Sequence, residues 1–158
     1  MPKTKRIIIM FTKQNVIYLA GGCFWGVEAF ISRLKGVNQT EVGYANGNDL
    51  APTYEKVCNG RTGHAETVKA TYNPEIISLD EILENFFRII DPYLKNRQGA
   101  DIGTQYRTGI YWQDPSQKSV VLKFLAKKQK ESSKRIVTEV RPIGSFYPAE
   151  DYHQKYLE

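Results

Sequence analysis

Cysteine is scarce in this chain and long apolar runs are missing, and each scarcity excludes a class of protein. Only two cysteines, Cys23 and Cys58, occur among 158 residues, so the chain does not fit the disulfide-stapled secreted domains. No apolar run reaches the roughly 18 residues that a membrane-spanning helix needs, and no membrane partner is expected. The apolar stretch 7–11 is too short for a secretory signal and is followed at once by Lys13. We therefore predict a cytoplasmic protein with reduced thiols and an N-terminal tail at residues 1–14.

Composition and charge are those of an ordinary globular protein. Hydrophobic residues make up 41% of the chain and charged residues 25%. No repeat, low-complexity tract or Ser/Pro-rich linker divides the sequence, so residues 15–158 are predicted to form a single domain. The net charge of +5 comes mainly from the segment 123–135. Without an aromatic RNA motif or zinc-finger spacing, this segment is better explained as the solvated face of a helix, and no nucleic-acid partner is expected.

Hydrophobic periodicity predicts an alternation of strands and helices. Strands are predicted at 16–20, 37–44, 65–72, 106–112 and 136–142. Helices are predicted after Cys23, after a capping box at Ser78–Glu81, and after Asp114–Pro115. Irregular loops are predicted at 45–61 and 93–103. The tail 145–158 is rich in aromatic residues and is predicted to dock on the body of the domain. We therefore predict an α+β fold, a two-layer sandwich with a mixed β-sheet and a ferredoxin-like β-α-β-β-α-β core.

The stretch Gly21–Gly26 (GGCFWG) places a thiol between glycines and two large aromatic side chains. It opens a predicted helix, so the free N–H groups and the positive end of the helix dipole point at Cys23. Such surroundings are expected to lower the thiol pKa and to expose the nucleophilic thiolate. Cys23 is therefore a candidate nucleophile, with Phe24 and Trp25 as an apolar wall beside it. The competing interpretation is a buried structural cysteine in a glycine-rich turn.

Glu66 lies near the start of the predicted strand 65–72, on the face shared with Val68 and Ala70. If that face is inward, burial raises the carboxyl pKa. A carboxyl that stays protonated near neutral pH can give a proton to a substrate oxygen. The competing interpretation is a strand-end glutamate that reaches solvent or pairs with an arginine.

Three other polar side chains are candidates for the same site. Tyr54 and Tyr106 lie at loop or strand-edge positions, where a phenol O–H can donate to a developing oxyanion. Core packing is the competing interpretation for both tyrosines. Asp101 lies in the polar stretch 98–103 and could orient a partner group.

Two alternative functions remain open on residue types alone. Cys23 as nucleophile, His64 as base and Asp101 as orienter would make a cysteine hydrolase or acyl transferase. A module that binds peptides through its aromatic residues without turnover is the second. Zinc is not favoured, because the spacing of the two cysteines and two histidines fits no usual ligand pattern. A zinc deaminase is not favoured either, because the chain has the H-x-E motif of those enzymes but lacks their P-C-x-x-C motif.

Six short stretches, in order and at matching separations, resemble the type A peptide-methionine sulfoxide reductases, which are specific for the S epimer. They are Gly21–Gly26 (GGCFWG), Gly43–Ala45 (GYA), Pro52–Cys58 (PTYEKVC), Thr62–Glu66 (TGHAE), Arg97–Arg107 (RQGADIGTQYR) and Phe146–Tyr152 (FYPAEDY). The resemblance runs from about Val16 to the end of the chain. It implies an antioxidant repair enzyme that reduces methionine S-sulfoxide, free or in peptides and proteins, to methionine.

The resemblance also implies catalytic roles. Cys23 would attack the sulfoxide sulfur and become a sulfenic acid. Glu66 would protonate the sulfoxide oxygen, and Tyr54 and Tyr106 would hydrogen-bond to it. Protonation matters because sulfoxide oxygen is a poor leaving group without it.

The substrate-binding roles follow from the same resemblance. Phe24 and Trp25 would hold the S-methyl group, which has no hydrogen bonds to make and suits aromatic rings. Asp101 would help fix substrate or a catalytic water. No metal or organic cofactor is implied.

Recycling is where this sequence departs from many relatives. They carry resolving cysteines in a C-terminal tail, and this sequence has no cysteine after Cys58. We therefore predict a one-cysteine enzyme, monomeric, whose sulfenic acid is reduced by an external thiol. The expected reductants are glutathione with glutaredoxin or, less efficiently, thioredoxin.

Overall fold

The computed structural model describes residues 14–48, 52–59 and 62–155, and within these ranges a six-stranded mixed β-sheet carries helices on one face. Its strands are β1 (Asn15–Gly21), β2 (Val37–Ala45), β3 (Ala65–Tyr72), β6 (Thr108–Trp112), β7 (Glu139–Pro142) and β8 (Phe146–Pro148). A separate hairpin is formed by β4 (Arg97–Gln98) and β5 (Asp101–Ile102). The helices are α1 (Phe24–Ile31), α2 (Tyr54–Cys58), α3 (Leu79–Phe87) and α4 (Gln117–Lys130). Single 3₁₀ turns span Thr104–Tyr106 and Asp151–His153.

The strand order is β7-β6-β1-β3-β2-β8. The four central strands, β6-β1-β3-β2, pair antiparallel. With α1 between β1 and β2 and α3 between β3 and β6, they form the ferredoxin-like arrangement. The pairing of β6 with β7 is parallel, which makes the sheet mixed. The predicted α+β fold with a mixed sheet is confirmed.

Side-chain alternation along the strands separates the two faces of the sheet. On β1, Ile17 and Leu19 join the large core beneath the helices, while Tyr18 and Ala20 join a smaller cluster on the opposite face. The helices complete the large core with apolar side chains, namely Phe24, Val27, Ile31, Ile82, Leu83, Phe86, Val121 and Phe124. This burial fixes the register of each strand, because a one-residue slip would turn every core side chain outward.

The predicted capping box at the start of α3 is present. The Ser78 hydroxyl accepts from the Glu81 backbone N–H at 3.1 Å, and the Glu81 carboxylate accepts from the Ser78 backbone N–H at 3.5 Å. These bonds satisfy donors that the first helical turn leaves open, and such a cap contributes about 1 kcal/mol. The helix therefore begins where the sequence predicts.

The C-terminal tail docks on the body, as predicted. Its strand β8 pairs antiparallel with the end of β2, and Tyr147 lies opposite Tyr44. The segment 45–61, which was predicted as an irregular loop, contains the short helix α2. The predicted N-terminal tail lies outside the described residues apart from Gln14. Among the helices described, none combines the length and the apolar character that crossing a membrane would require.

Candidate active site

Cys23 occupies the N-cap position of α1, immediately after the turn that leaves β1. Gly22 makes this turn with a φ of +85°, a conformation that side chains other than glycine rarely adopt. A Cβ at Gly22 would also lie 2.7 Å from the Cβ of Gln98. The thiol is half-buried, so it is packed on one side and remains accessible. Strand end, glycine turn and helix start together fix where the sulfur lies.

The pKa of the Cys23 thiol is raised from its ordinary value, so the predicted lowering is wrong for the resting protein. Burial is the largest cause. Hydrogen bonds from the backbone N–H groups of Trp25 and Gly26 lower the pKa, as a helix N-terminus should, whereas the charges of Glu66 and Asp101 raise it. The resting sulfur is therefore a protonated thiol that has its N–H donors already in place.

Glu66 lies on the helix-facing side of β3 and is only 1% exposed. Its Oε1 accepts from the Phe24 backbone N–H at 3.2 Å, in the first turn of the helix that Cys23 caps. Its Oε2 is buried and has no hydrogen-bond partner among the described residues. Burial raises the pKa of this carboxyl to about 7; the bond from Phe24 lowers it and the charge of Asp101 raises it. The group is therefore poised to hold and release a proton near neutral pH.

Replacing Glu66 with glutamine is expected to stabilise the fold above neutral pH. The carboxyl pKa rises from an ordinary 4.5 to about 7 on folding, so the folded state binds more protons between these pH values. The free energy of unfolding then falls as pH rises from 4.5 to 7 and stays level above. A shift of this size corresponds to about 3 kcal/mol, and glutamine does not titrate. Urea unfolding of both proteins at pH 5 and pH 8 measures the difference, and identical pH dependence would contradict the raised pKa.

Tyr54 and Tyr106 reach this site from α2 and from the 3₁₀ turn Thr104–Tyr106, and both are half-buried. Burial raises the pKa of the Cys58 thiol overall, although both phenols act on that thiol as nearby donors that lower its pKa. Burial and the Glu66 charge contribute to raising both phenol pKa values, that of Tyr106 to about 12. Both hydroxyls are therefore protonated donors at neutral pH.

Gln105 fixes the two tyrosine-bearing segments relative to each other. Its side-chain Nε2 donates to the backbone carbonyl of Cys58 at 3.3 Å, which ties the end of α2 to the 3₁₀ turn. The start of α2 is capped by the Thr53 hydroxyl, which accepts from the Lys56 backbone N–H. The spacing of Tyr54 and Tyr106 is therefore set by hydrogen bonds at both ends of α2.

Phe24 and Trp25 form an aromatic wall with Tyr54. The ring of Tyr54 stacks 6.4 Å from Phe24 and 6.1 Å from Trp25. His153, which sequence reasoning did not select, completes the wall: its ring centroid lies 4.4 Å from that of Tyr54. The sequence pointed to His153 only indirectly. The aromatic-rich tail was predicted to dock on the body, but the sequence did not show which of its side chains reaches the site.

Asp101 lies at the rim of the site on an exposed hairpin. It belongs to β5 and is opposite Gln98 of β4. Its negative charge raises the pKa values of Cys23, Glu66 and Tyr106, so the hairpin brings it within electrostatic reach of all three. The fold therefore brings Glu66 and Asp101 within electrostatic reach of Cys23, and it packs Tyr54 against the two aromatic residues that follow Cys23.

His64 is held for a structural purpose. It is fully buried, its Nδ1 accepts from the Gly47 backbone N–H at 3.1 Å, and its ring packs edge-on against Tyr147. His64 is also missing from the groups that shift the pKa of Cys23. The arrangement gives no support to a Cys–His hydrolase. Within the described part of the chain, no cluster of three or more histidine, cysteine or acidic side chains could hold a metal ion.

A thiol capping a helix, a buried acid beside it and an aromatic wall on an α+β sheet define a cysteine-dependent oxidoreductase. The family model described as peptide methionine sulfoxide reductase matches residues 15–158, and the chain belongs to this family. Peptide methionine sulfoxide reductase MsrA of Clostridium botulinum strain Okra is 56% identical over 142 residues, which is 90% of this chain and 90% of that protein.

Solved structures agree in fold. Mxr1 of Saccharomyces cerevisiae in reduced form matches with a TM-score of 0.87 and 40% identity, over 92% of this chain and 84% of that one. Methionine sulfoxide reductase A of Corynebacterium diphtheriae matches with a TM-score of 0.85 and 37% identity, over 91% of this chain and 74% of that one. Family membership therefore rests on both sequence and fold.

Proposed function

We propose that this chain reduces the S epimer of methionine sulfoxide, free or in peptides and proteins, through a sulfenic acid on Cys23. The observation that carries the proposal is the pairing of that thiol with a buried carboxyl. The Phe24 backbone N–H, one residue after Cys23, donates directly to Glu66. Overall, the oxygen atom moves from the methionine sulfur to the cysteine sulfur. Methionine sulfoxide is thereby reduced by two electrons, and the thiol is oxidised to a sulfenic acid.

Glu66 supplies the acid that the reaction needs. As the Cys23 sulfur attacks the sulfoxide sulfur, negative charge develops on oxygen, and a protonated carboxyl can neutralise it. The unpartnered Oε2 is the atom for this task, because Oε1 is held by Phe24. The raised pKa of Cys23 keeps the resting sulfur protonated, and the Glu66 pKa of about 7 lets the carboxyl both hold and donate a proton near neutral pH.

Tyr54 and Tyr106 are proposed to donate to the same oxygen. In the resting protein burial raises the pKa of the Cys58 thiol, and the two hydroxyls act as donors that lower it. Substrate oxygen is a better acceptor than a thiol sulfur, so we expect both donors to turn to it when it arrives. Phe24 and Trp25 are proposed to pack on the S-methyl group, and Asp101 to fix substrate or a water at the rim.

Recycling is proposed to use an external thiol. One solved structure of Saccharomyces cerevisiae Mxr1 is in complex with Trx2. This chain matches it with a TM-score of 0.65 and 28% identity, over 92% of this chain and 86% of that one. Thioredoxin is therefore a candidate reductant here, with glutathione and glutaredoxin as the other. We further propose a monomeric, cytoplasmic enzyme that works without metal or organic cofactor and whose catalytic domain spans residues 15–158.

A single turnover without reductant tests both the reaction and the one-cysteine prediction. One equivalent of methionine should form, and one of the two thiols should become a sulfenic acid that a dimedone probe labels on Cys23. A Cys58→Ser variant is the matched control and should give the same methionine yield. Loss of both thiols as a disulfide would make Cys58 a resolving cysteine and overturn the one-cysteine prediction. Failure to form methionine at all would overturn the function.

A further inference from the structure

The imidazole of His153 is a built-in part of the aromatic wall, delivered by the C-terminal tail. It is 1% exposed. Its ring centroid lies 5.4 Å from those of Phe24 and Trp25, 4.4 Å from that of Tyr54 and 4.1 Å from that of Tyr152. Packing alone does not explain a polar ring buried among four aromatic side chains. Phenylalanine would fill the same space and would leave no buried polar group without a hydrogen bond.

The reason lies in one hydrogen bond. The indole Nε1–H of Trp25 donates to Nδ1 of His153 at 3.2 Å. Indole nitrogen is only a donor, so Nδ1 must be unprotonated and the imidazole proton must sit on Nε2. Burial lowers the pKa of His153, which favours this neutral form.

Glu150 lies on the Nε2 side of the imidazole. Its Oε2 lies 3.5 Å from Nε2 of His153, on the side of the ring away from Trp25. The carboxylate is itself fixed, because it accepts from the hydroxyls of Tyr44 at 3.2 Å and Tyr152 at 3.0 Å. Nε2 of His153 is buried and makes no hydrogen bond among the described residues. Burial lowers the pKa of the imidazole more than the charge of Glu150 raises it, so the ring stays neutral with Nδ1 as the acceptor.

The tail that carries His153 is tied down on the residues that follow it. The Gln154 side chain pairs with Val42 as a strand residue would, accepting from its backbone N–H and donating to its carbonyl, both at 2.9 Å. The backbone N–H of Lys155 donates to the buried carboxylate of Glu28 at 2.6 Å, and its ammonium to the Thr40 hydroxyl at 2.8 Å. These four bonds fix the imidazole relative to β2 and α1.

We propose that His153 is a positioning residue that holds the indole of Trp25 in the orientation that forms the methyl-binding wall; this inference rests on the proposed function. Trp25 lies in the first turn of α1 and is only partly buried, so without an acceptor its N–H would turn toward water. With the N–H fixed on His153, the apolar face of the ring stays on the site. His153 thereby acts on substrate binding through Trp25, without touching the reacting atoms.

The test compares His153→Phe with His153→Asn in a Trp112→Phe background. Trp25 and Trp112 are the two tryptophans, so Trp25 is the only indole left to report. Phenylalanine keeps a ring and removes the acceptor, whereas asparagine places an amide oxygen near the position of Nδ1. His153→Phe should raise KM for a methionine-sulfoxide peptide about tenfold and change the single-turnover rate at saturation less than about threefold. It should also shift Trp25 emission to longer wavelength, and His153→Asn should restore most of both signals.

A double-mutant cycle separates positioning from general stability. In a Trp25→Phe background the donor is gone, so His153→Phe and His153→Asn should then have equal KM values. If His153→Phe does not fold, His153→Leu takes its place, with folding checked by circular dichroism. Unchanged KM and emission in the acceptor-free variant, equal losses in the Phe and Asn variants, or a loss in kcat alone would each overturn the proposal. Failure of the proposed function would look different, because the background enzyme itself would then form no methionine.

Discussion

Changing Cys23 to serine is expected to abolish methionine sulfoxide reduction, with a loss of about 10⁴-fold or more. A serine hydroxyl is far less nucleophilic toward sulfur than a thiolate, and it has no counterpart to the sulfenic acid that stores the transferred oxygen. Residue 23 is the N-cap of α1, a position where serine is a favoured residue, so Cys23→Ser should fold normally. The loss would therefore be chemical.

The measurement is the yield of N-acetyl-methionine from N-acetyl-methionine sulfoxide, with dithiothreitol as reductant. Cys58→Ser is the matched control: it removes the other thiol and leaves a hydroxyl of similar size in its place. It is expected to keep turnover within about threefold, since it leaves the Cys23 sulfur and the Glu66 carboxyl in place. Full activity in the Cys23 variant would end the assignment of this thiol as the nucleophile.

Removing the acid is expected to give the second largest effect. Glu66→Ala should slow single-turnover methionine formation about 10³-fold and Glu66→Gln about 10²-fold. Both variants lose the proton donor, but glutamine can still accept from the Phe24 N–H and donate a hydrogen bond to the substrate oxygen. Alanine loses these contacts and leaves a cavity beside Cys23. Equal rates for the two variants and the wild type would contradict an acid role for Glu66.

The pH dependence of the single-turnover rate should also reveal the acid role of Glu66. In the wild type the active form needs a thiolate on Cys23 and a proton on Glu66. Its population rises with pH until the Glu66 pKa of about 7, levels off, and falls above the raised pKa of Cys23. In Glu66→Gln the break near pH 7 should disappear, and the rate should keep rising with pH until the thiol is ionised. A profile that still breaks at pH 7 in the variant would assign that pKa to another group.

Strand periodicity and capping chemistry made much of the fold predictable. The strand 65–72 was placed to the residue because its alternation is clean, and the helix at Ser78 was placed because its cap is explicit in the sequence. The helix Tyr54–Cys58 was missed for a physical reason. It has five residues and only one buried side chain, Val57, so it has no periodic apolar stripe to read.

The site was predictable in position and less so in electrostatics. Cys23 at a helix start and Glu66 on an inward face follow from local sequence. The direction of the thiol pKa does not, because burial and two carboxylates from distant segments outweigh two local N–H donors. His153 was beyond local reasoning as well, since its bond to Trp25 joins residues 128 positions apart and only the folded chain brings them together.

That separation has a consequence for biosynthesis. Ribosomes add roughly 5–20 residues per second and domains fold as they emerge, so the partner of the Trp25 indole is made on the order of 6–25 s after the indole itself. During that interval the nascent polypeptide carries Cys23, the proposed nucleophile, without the acceptor that fixes the Trp25 indole. We expect a stalled translation product that ends before residue 153 to bind sulfoxide poorly, so repair activity begins only after His153 has been added.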